Sequence, residues 1–187
     1  MQQLKKGTAH PLAGVDGTKN HLQKNAIETL LGCQAQPQET ENTLDAALRY
    51  ASAGIPIIPC LPNKRPYTKH GYKDATTDHK QIKRWWKKWP NAFIGMPTGE
   101  RSGILVLDVD IPDGALSLAM LETEVGPLPV TVEVRTQSGG RHLYFKNAPG
   151  IKNSAGKLGK NLDIRAEGGH VIIPPSPGYT FVKGGII

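Results

Sequence analysis

The chain has 187 residues, 38% of them hydrophobic, enough for one compact domain but not for two large independent ones. Its two cysteines, Cys33 and Cys60, lack Cys-x-x-Cys spacing, which argues against a disulfide framework or a structural zinc site. The net charge of +7 is local: residues 64–88 hold nine Lys/Arg against Asp74 and Asp78, and the remaining charges cancel, the footprint expected of a protein that meets a polyphosphate backbone.

Residues 1–42 are polar and weakly patterned, apart from a candidate helix at 26–31, and read as a mobile leader. From Thr43 the pattern tightens: Leu44, Ala47, Leu48 and Ala51 recur at helical spacing, and Gly54 stands where a left-handed cap is wanted. Residues 55–60 then read as a buried strand, followed by the turn-rich segment 61–77. Asp78 is expected to cap the next helix, in which Ile82, Trp85, Trp86 and Trp89 form one stripe. Lys80, Lys83, Arg84, Lys87 and Lys88 take its other faces, and Pro90 ends it. The tryptophans are read as a core stripe in preference to a base-stacking platform, which leaves the basic face for phosphates.

Residues 103–109 are a strongly β-prone strand, and residues 114–125 a helix with Leu116, Met120 and Leu121 as its apolar residues. Segments 131–135, 142–146, 161–165, 170–173 and 179–182 look like successive strands between Gly/Pro turns. Helices confined mostly to the first two-thirds and strands to the rest predict an α+β fold. No apolar run approaches membrane-spanning length and no signal-peptide pattern opens the chain, so a cytoplasmic protein without a membrane partner is expected.

Three segments carry candidate chemistry. In Ile104-Leu-Val-Leu-Asp-Val-Asp110, strand alternation puts Asp108 and Asp110 on one face and Leu105, Leu107 and Val109 on the other. Adjacent carboxylates repel unless a cation sits between them, and hard ions such as Mg²⁺ or Mn²⁺ take carboxylate oxygens readily. In Thr136-Gln-Ser-Gly-Gly-Arg-His-Leu-Tyr-Phe145, the glycine pair lets the backbone pass close to a ligand, and His142 shares a face with Tyr144. In Asn161-Leu-Asp-Ile-Arg165, Asp163 and Arg165 point one way and Leu162 and Ile164 the other, offering a third carboxylate.

A strand ending Asp-x-Asp, a short Ser/Gly turn before His, and a hydrophobic-Asp strand with Arg two residues later resemble, in that order, the archaeo-eukaryotic primases. The flanks Lys64-Arg-Pro66, Asp74-Ala-Thr-Thr77, Arg84-Trp-Trp86, Trp89-Pro-Asn91, Ile94-Gly95, Thr98-Gly99 and Gly168-Gly-His-Val-Ile-Ile-Pro-Pro-Ser176 are similar to the bifunctional primase/polymerase branch of plasmid and phage replication proteins. The resemblance covers about residues 44–182. It implies an RNA-recognition-like sheet at about 101–187, a small basic helix-and-strand module at about 43–100, and an active site in the cleft between them. It further implies template-dependent nucleotidyl transfer on DNA by two divalent ions, Mg²⁺ or Mn²⁺. Asp108, Asp110 and Asp163 match the metal-holding positions, although many relatives carry Glu where this chain has Asp110. His142 matches the histidine on the incoming nucleoside triphosphate. Ser138, Arg141, Arg165, Thr98 and Gly99 are the accompanying nucleotide-site candidates, and Lys64, Arg65, Lys83, Arg84, Lys87 and Lys88 the template-DNA candidates.

Residues 150–160, with Lys152, Lys157 and Lys160, are expected to be a flexible basic loop that closes on nucleotide or template. They are not an ATP-binding loop, since Leu158 follows Gly156-Lys157. A helicase-like portion is therefore expected beyond Ile187 or on a separate chain. Two other readings stand beside this one. A metal-dependent glycosyltransferase would use Asp108 and Asp110 but leaves Asp163, His142 and the basic patch unexplained. A non-catalytic origin or single-stranded DNA-binding module has the intact acidic positions against it.

Overall fold

The computed structural model describes residues 41–182, so the candidate helix at 26–31 and nearly all of the expected leader lie outside the described residues. The first helix of the described residues, α1 (Thr43–Ser52), starts where the Asn42 side chain accepts a hydrogen bond from the Asp45 N–H. Ala46, Ala47, Tyr50 and Ala51 form its buried face, and Gly54 follows in the left-handed conformation, φ 81°, that a side chain would strain. Strand β1 (Ile58–Cys60) comes next, and a 3-10 turn at Gly71–Asp74 precedes helix α2 (His79–Lys88). Asp78 caps α2 as predicted, accepting from the Lys80 N–H at 2.9 Å.

The tryptophan stripe divides. Ile82 and Trp86 enter the core, and the Trp86 indole N–H donates to Thr43 Oγ1, tying α2 to the start of α1. Trp85 and Trp89 are only partly buried at its edge, which corrects the expectation that the whole stripe is core. Ile82→Ala would cost about 2–5 kcal/mol, the usual range for emptying such a site.

Two antiparallel sheets follow from the remaining strands. In the smaller, β2 (Phe93–Pro97) lies between β1 and β8 (His170–Ile173). Position 95 accepts only glycine there, because a Cβ would lie 2.6 Å from Cys60 Sγ. The larger sheet contains β3 (Ile104–Val109), β4 (Val132–Arg135), β5 (Arg141–Lys146), β6 (Ser154–Ala155), β7 (Leu162–Arg165) and β9 (Thr180–Phe181), in the order β6-β7-β3-β5-β4-β9. Helix α3 (Gly114–Val125) packs on β3 and β7. Among the described residues, three α-helices with antiparallel sheets agree with the coarse α+β expectation.

Four sequence expectations change. Strand β8 crosses the expected division at residue 100, since it comes late in the chain yet completes the sheet begun by β1 and β2. Strand β3 is buried on both faces: Ile104 and Val106 join the large core shared with α1, α2, β2 and β8, while Leu107 and Val109 pack with Leu118, Leu143 and Leu162 in a second core. Helix α3 turns Leu118 and Leu121 inward and leaves Leu116 and Met120 66% and 60% exposed, because Gly114 sits against the Asn161 carbonyl and fixes which face meets β3. The 150–160 segment is tied down rather than free. Strand β6 pairs with β7, the Ser117 hydroxyl donates to the Lys160 carbonyl, and Lys160 pairs with Asp113 at 2.9 Å. No helix among the described residues is long and apolar enough to cross a membrane.

Candidate metal centre

The register of three strands builds the centre. β3 pairs with β5 and β7 so that Asp108 lies directly opposite His142 on one side and Asp163 on the other. Facing residues of antiparallel strands share a sheet face, so the row Asp163, Asp108, His142 points one way. Asp110 lies one residue beyond β3 on that same face, its N–H donating to the Asn161 carbonyl and its carbonyl accepting from the Gly114 N–H. Asp108, Asp110 and Asp163 each offer a carboxylate oxygen within 4.8 Å of the others.

The charges are held at a cost. Asp108 is 7% exposed, and burial raises its pKa against the lowering effect of Arg165. Burial also raises that of Asp110, and the neighbouring Asp108 adds to the shift. The Arg165 guanidinium offsets part of this, donating to Asp108 Oδ2 at 3.2 and 3.1 Å and to Asp163 Oδ2 at 2.8 Å. Asp163 Oδ1 accepts from the Gly156 N–H. Asp108 Oδ1, by contrast, is buried without a hydrogen-bond partner; His142 Nε2 stands 3.5 Å away without donating to it. Three carboxylates within reach of one another, one with an orphaned buried oxygen, are what a hard divalent ion would satisfy, so these residues fit the metal that the sequence implied.

His142 is almost fully enclosed, and burial depresses its pKa to about 3, so at neutral pH it is an uncharged imidazole. Its contact with Asp108 is therefore between a dipole and a charge. The Tyr144 hydroxyl lies 3.5 Å from His142 Nδ1, and the Tyr179 ring packs 6.1 Å from the imidazole. Burial pushes the Tyr179 phenol up to about 12, leaving it protonated, with its hydroxyl oxygen also unpartnered.

The other sequence candidates fall in different places. Lys64, grouped with the DNA-binding residues, has its charge close enough to the acidic site to act on Asp108, Asp110 and His142. Its backbone has φ 71°, and its carbonyl lies 2.9 Å from His170 Nε2, which anchors the turn to the start of β8. Arg141 departs from its expected role: the alternation of β5 sends it to the face opposite His142, where it pairs with Glu133 at 3.5 Å. Ser138 is exposed and bonds Thr136 at 3.0 Å. The glycine turn beside it approaches its own chain, since a Cβ on Gly140 would lie 2.6 Å from the Val109 carbonyl.

Thr98 and Gly99 hold loops together. The Thr98 hydroxyl donates to the Ala166 carbonyl, and a Cβ at Gly99 would strike Glu167. Arg65, Lys83, Arg84, Lys87 and Lys88 are exposed. Sequence reasoning missed Tyr179 and the placement of Lys64. The available signal for Lys64 was the Leu61-Pro-Asn-Lys64 turn, which bends the chain back over β8.

A family model described as bifunctional DNA primase/polymerase, N-terminal, matches residues 47–185. No curated protein matches the chain.

Proposed function

Because the chain belongs to this Prim-Pol family, we propose that it catalyses template-dependent nucleotidyl transfer on DNA, with Asp108, Asp110 and Asp163 holding the metal. The observation that carries the reading is the convergence of three carboxylates within 4.8 Å of one another, one of them, Asp108, buried with an unpartnered Oδ1. Two divalent ions, Mg²⁺ or Mn²⁺, would supply activation of a primer 3′-hydroxyl and neutralisation of the α-phosphate and leaving pyrophosphate in an in-line displacement.

The chain's own residues divide the remaining work. Arg165 pairs with Asp108 and Asp163, and a guanidinium beside the carboxylates is the group assigned to neutralise the triphosphate. Lys64, whose charge acts on Asp108 and Asp110, is reassigned from template to triphosphate. The neutral His142 donates a hydrogen bond to a phosphate oxygen without adding charge. Template runs along the exposed Arg65, Lys83, Arg84, Lys87 and Lys88, away from the carboxylates that would repel it.

The order β7-β3-β5-β4, fourth, first, third and second in chain order, supports the RNA-recognition-like reading of the larger sheet. On that reading, residues 43–187 are the catalytic unit, its two parts divided near residue 100 and exchanging β8. On the same reading the site lies between these two parts, and the Lys64 turn, anchored to β8 of the smaller sheet, borders it.

Primer extension with labelled nucleotides in Mg²⁺ or Mn²⁺ tests the proposal, and metal-dependent incorporation directed by template is expected. One observation favours a second reading, a DNA-binding module with an inactive centre: Arg165 already neutralises two of the three carboxylates. DNA binding without incorporation under either metal would select it.

A further inference from the structure

We propose that the groove between residues 67–74 and α2 is a second nucleic-acid site, in which Trp85 and Trp89 take a base of single-stranded DNA and Lys69 and Lys88 its flanking phosphates. It deepens the reading above and rests on it for the choice of DNA as ligand.

The groove has a volume of about 480 Å³ and is lined by both tryptophans, Tyr67, His70 and the two lysines among others. It is shallow and open to solvent, a shape suited to laying a flat base on an aromatic surface. Within it Tyr67 and Trp89 stack face to face, with centroids 4.7 Å apart and planes 12° from parallel. Trp86 on the same helix shows what a structural tryptophan looks like: 3% exposed, with its N–H satisfied by Thr43. Trp85 and Trp89 are instead half-buried, presenting aromatic surface beside the densest positive charge in the chain.

Charge complementarity selects the occupant. Lys88 Nζ lies over the Trp89 ring at 4.7 Å, and a cation over an exposed ring is worth less than a stacked base, so an arriving base can displace it towards a phosphate. Asp74 lines the groove too, but its carboxylate is engaged by the His70 N–H and ring at 2.9 Å each, so phosphates are directed to the Lys69 and Lys88 side. The location suits a template. Tyr67 is three residues from Lys64, a reach of at most about 11 Å along the backbone, and the Lys64 turn is anchored to His170 at the start of β8.

The test compares oligothymidylate with an abasic oligonucleotide of equal length, in chelator and without nucleotide, by anisotropy and tryptophan quenching. The abasic strand keeps every phosphate and loses only stacking. About tenfold tighter binding of oligothymidylate is expected, with quenching that the abasic strand does not produce. Trp89→Leu should remove the discrimination and Trp89→Phe retain most of it, which guards against a folding defect in the leucine variant. Equal affinity for the two strands, or undiminished discrimination in a folded Trp89→Leu, would overturn the proposal. Discrimination without primer extension sinks only the polymerising reading; extension without discrimination sinks only the groove.

Discussion

Helix α2 and strand β3 carry opposite charges in opposite environments. On α2, Lys83, Arg84, Lys87 and Lys88 stand in solvent, where repulsion among them is damped over about 8 Å at physiological salt. On β3, Asp108 is drawn into the sheet interface, with Asp163 opposite it and Asp110 just past the strand end. The basic cluster can persist unliganded at little expense and exert a long-range pull on a polyanion. The acidic cluster is costly without a cation, and Arg165 supplies only part of one. Solvated charge thus suits capture, and enclosed charge suits chemistry that needs a bound ion.

The sharpest way to break this contrast is to neutralise one charge in each region. Asp108→Asn should reduce nucleotide incorporation on the order of 10³-fold or more, since it removes a ligand on which transition-state neutralisation depends. Template affinity should not change. The metal-free protein should lose no stability at neutral pH, because folding already disfavours the ionised Asp108. Thermal melts with and without Mn²⁺ complete the test: the wild type should gain stability with metal and the variant should not. Incorporation at the wild-type rate would remove Asp108 from the centre.

Reversing Lys83, Arg84, Lys87 and Lys88 to Glu should do the opposite. Template binding at low salt should weaken by about a hundredfold, and the salt dependence should flatten because fewer counterions are released. Incorporation at saturating template should stay within a few-fold of wild type. An unaltered salt slope would mean that α2 displays only a solvated face.

A smaller effect tests the placement of Lys64. Lys64→Gln should raise the nucleotide KM by a few-fold, on the order of 1 kcal/mol for a solvent-exposed charge. It should also tighten metal binding slightly, because a cation that opposes metal at Asp108 and Asp110 is removed. A change confined to template affinity would return Lys64 to the DNA-binding group.

What could be read in the sequence was what local periodicity encodes. Asp108, Asp110 and Asp163 came from strand alternation, and the Asp78 cap and Ile82 from helical spacing; the structure places all of these as those rules require. Long-range pairing was not legible. Alternation alone could not reveal that β3 is sandwiched between two cores, because a two-faced strand and a half-exposed one share the same period. Arg141 next to His142 in sequence suggested a shared role, yet neighbours on a strand face opposite ways. In α3 the Leu/Met content fitted more than one inward face, and the contact at Gly114 decided for Leu118. Lys64 reaches the carboxylates only through the packing of its turn on β8.

The smallest expected effect concerns protons, and it separates the enclosed region from the solvated one without any substrate. Free imidazole takes a proton near pH 6.5, but burial holds His142 neutral down to about 3. Below pH 6.5 the unfolded chain therefore binds a proton that the folded chain does not. The stability this imidazole allows is complete above 6.5 and falls as pH drops, by at most roughly 1.4 kcal/mol per pH unit. Asp108 and Asp110 act in the other direction, since their raised values let the folded state take protons first, but both remain in a variant that lacks only the imidazole. The His142 loss is thus read as a difference from such a variant, from about pH 6.5 downwards. Denaturant melts in chelator across that window should show wild type losing stability relative to His142→Gln, which cannot titrate. His70 is paired with Asp74 in the open groove and remains in both proteins, so it cancels from the difference. Parallel curves would mean that water reaches the imidazole in solution, and a hydrated His142 could not serve as the fixed, neutral donor assigned to it.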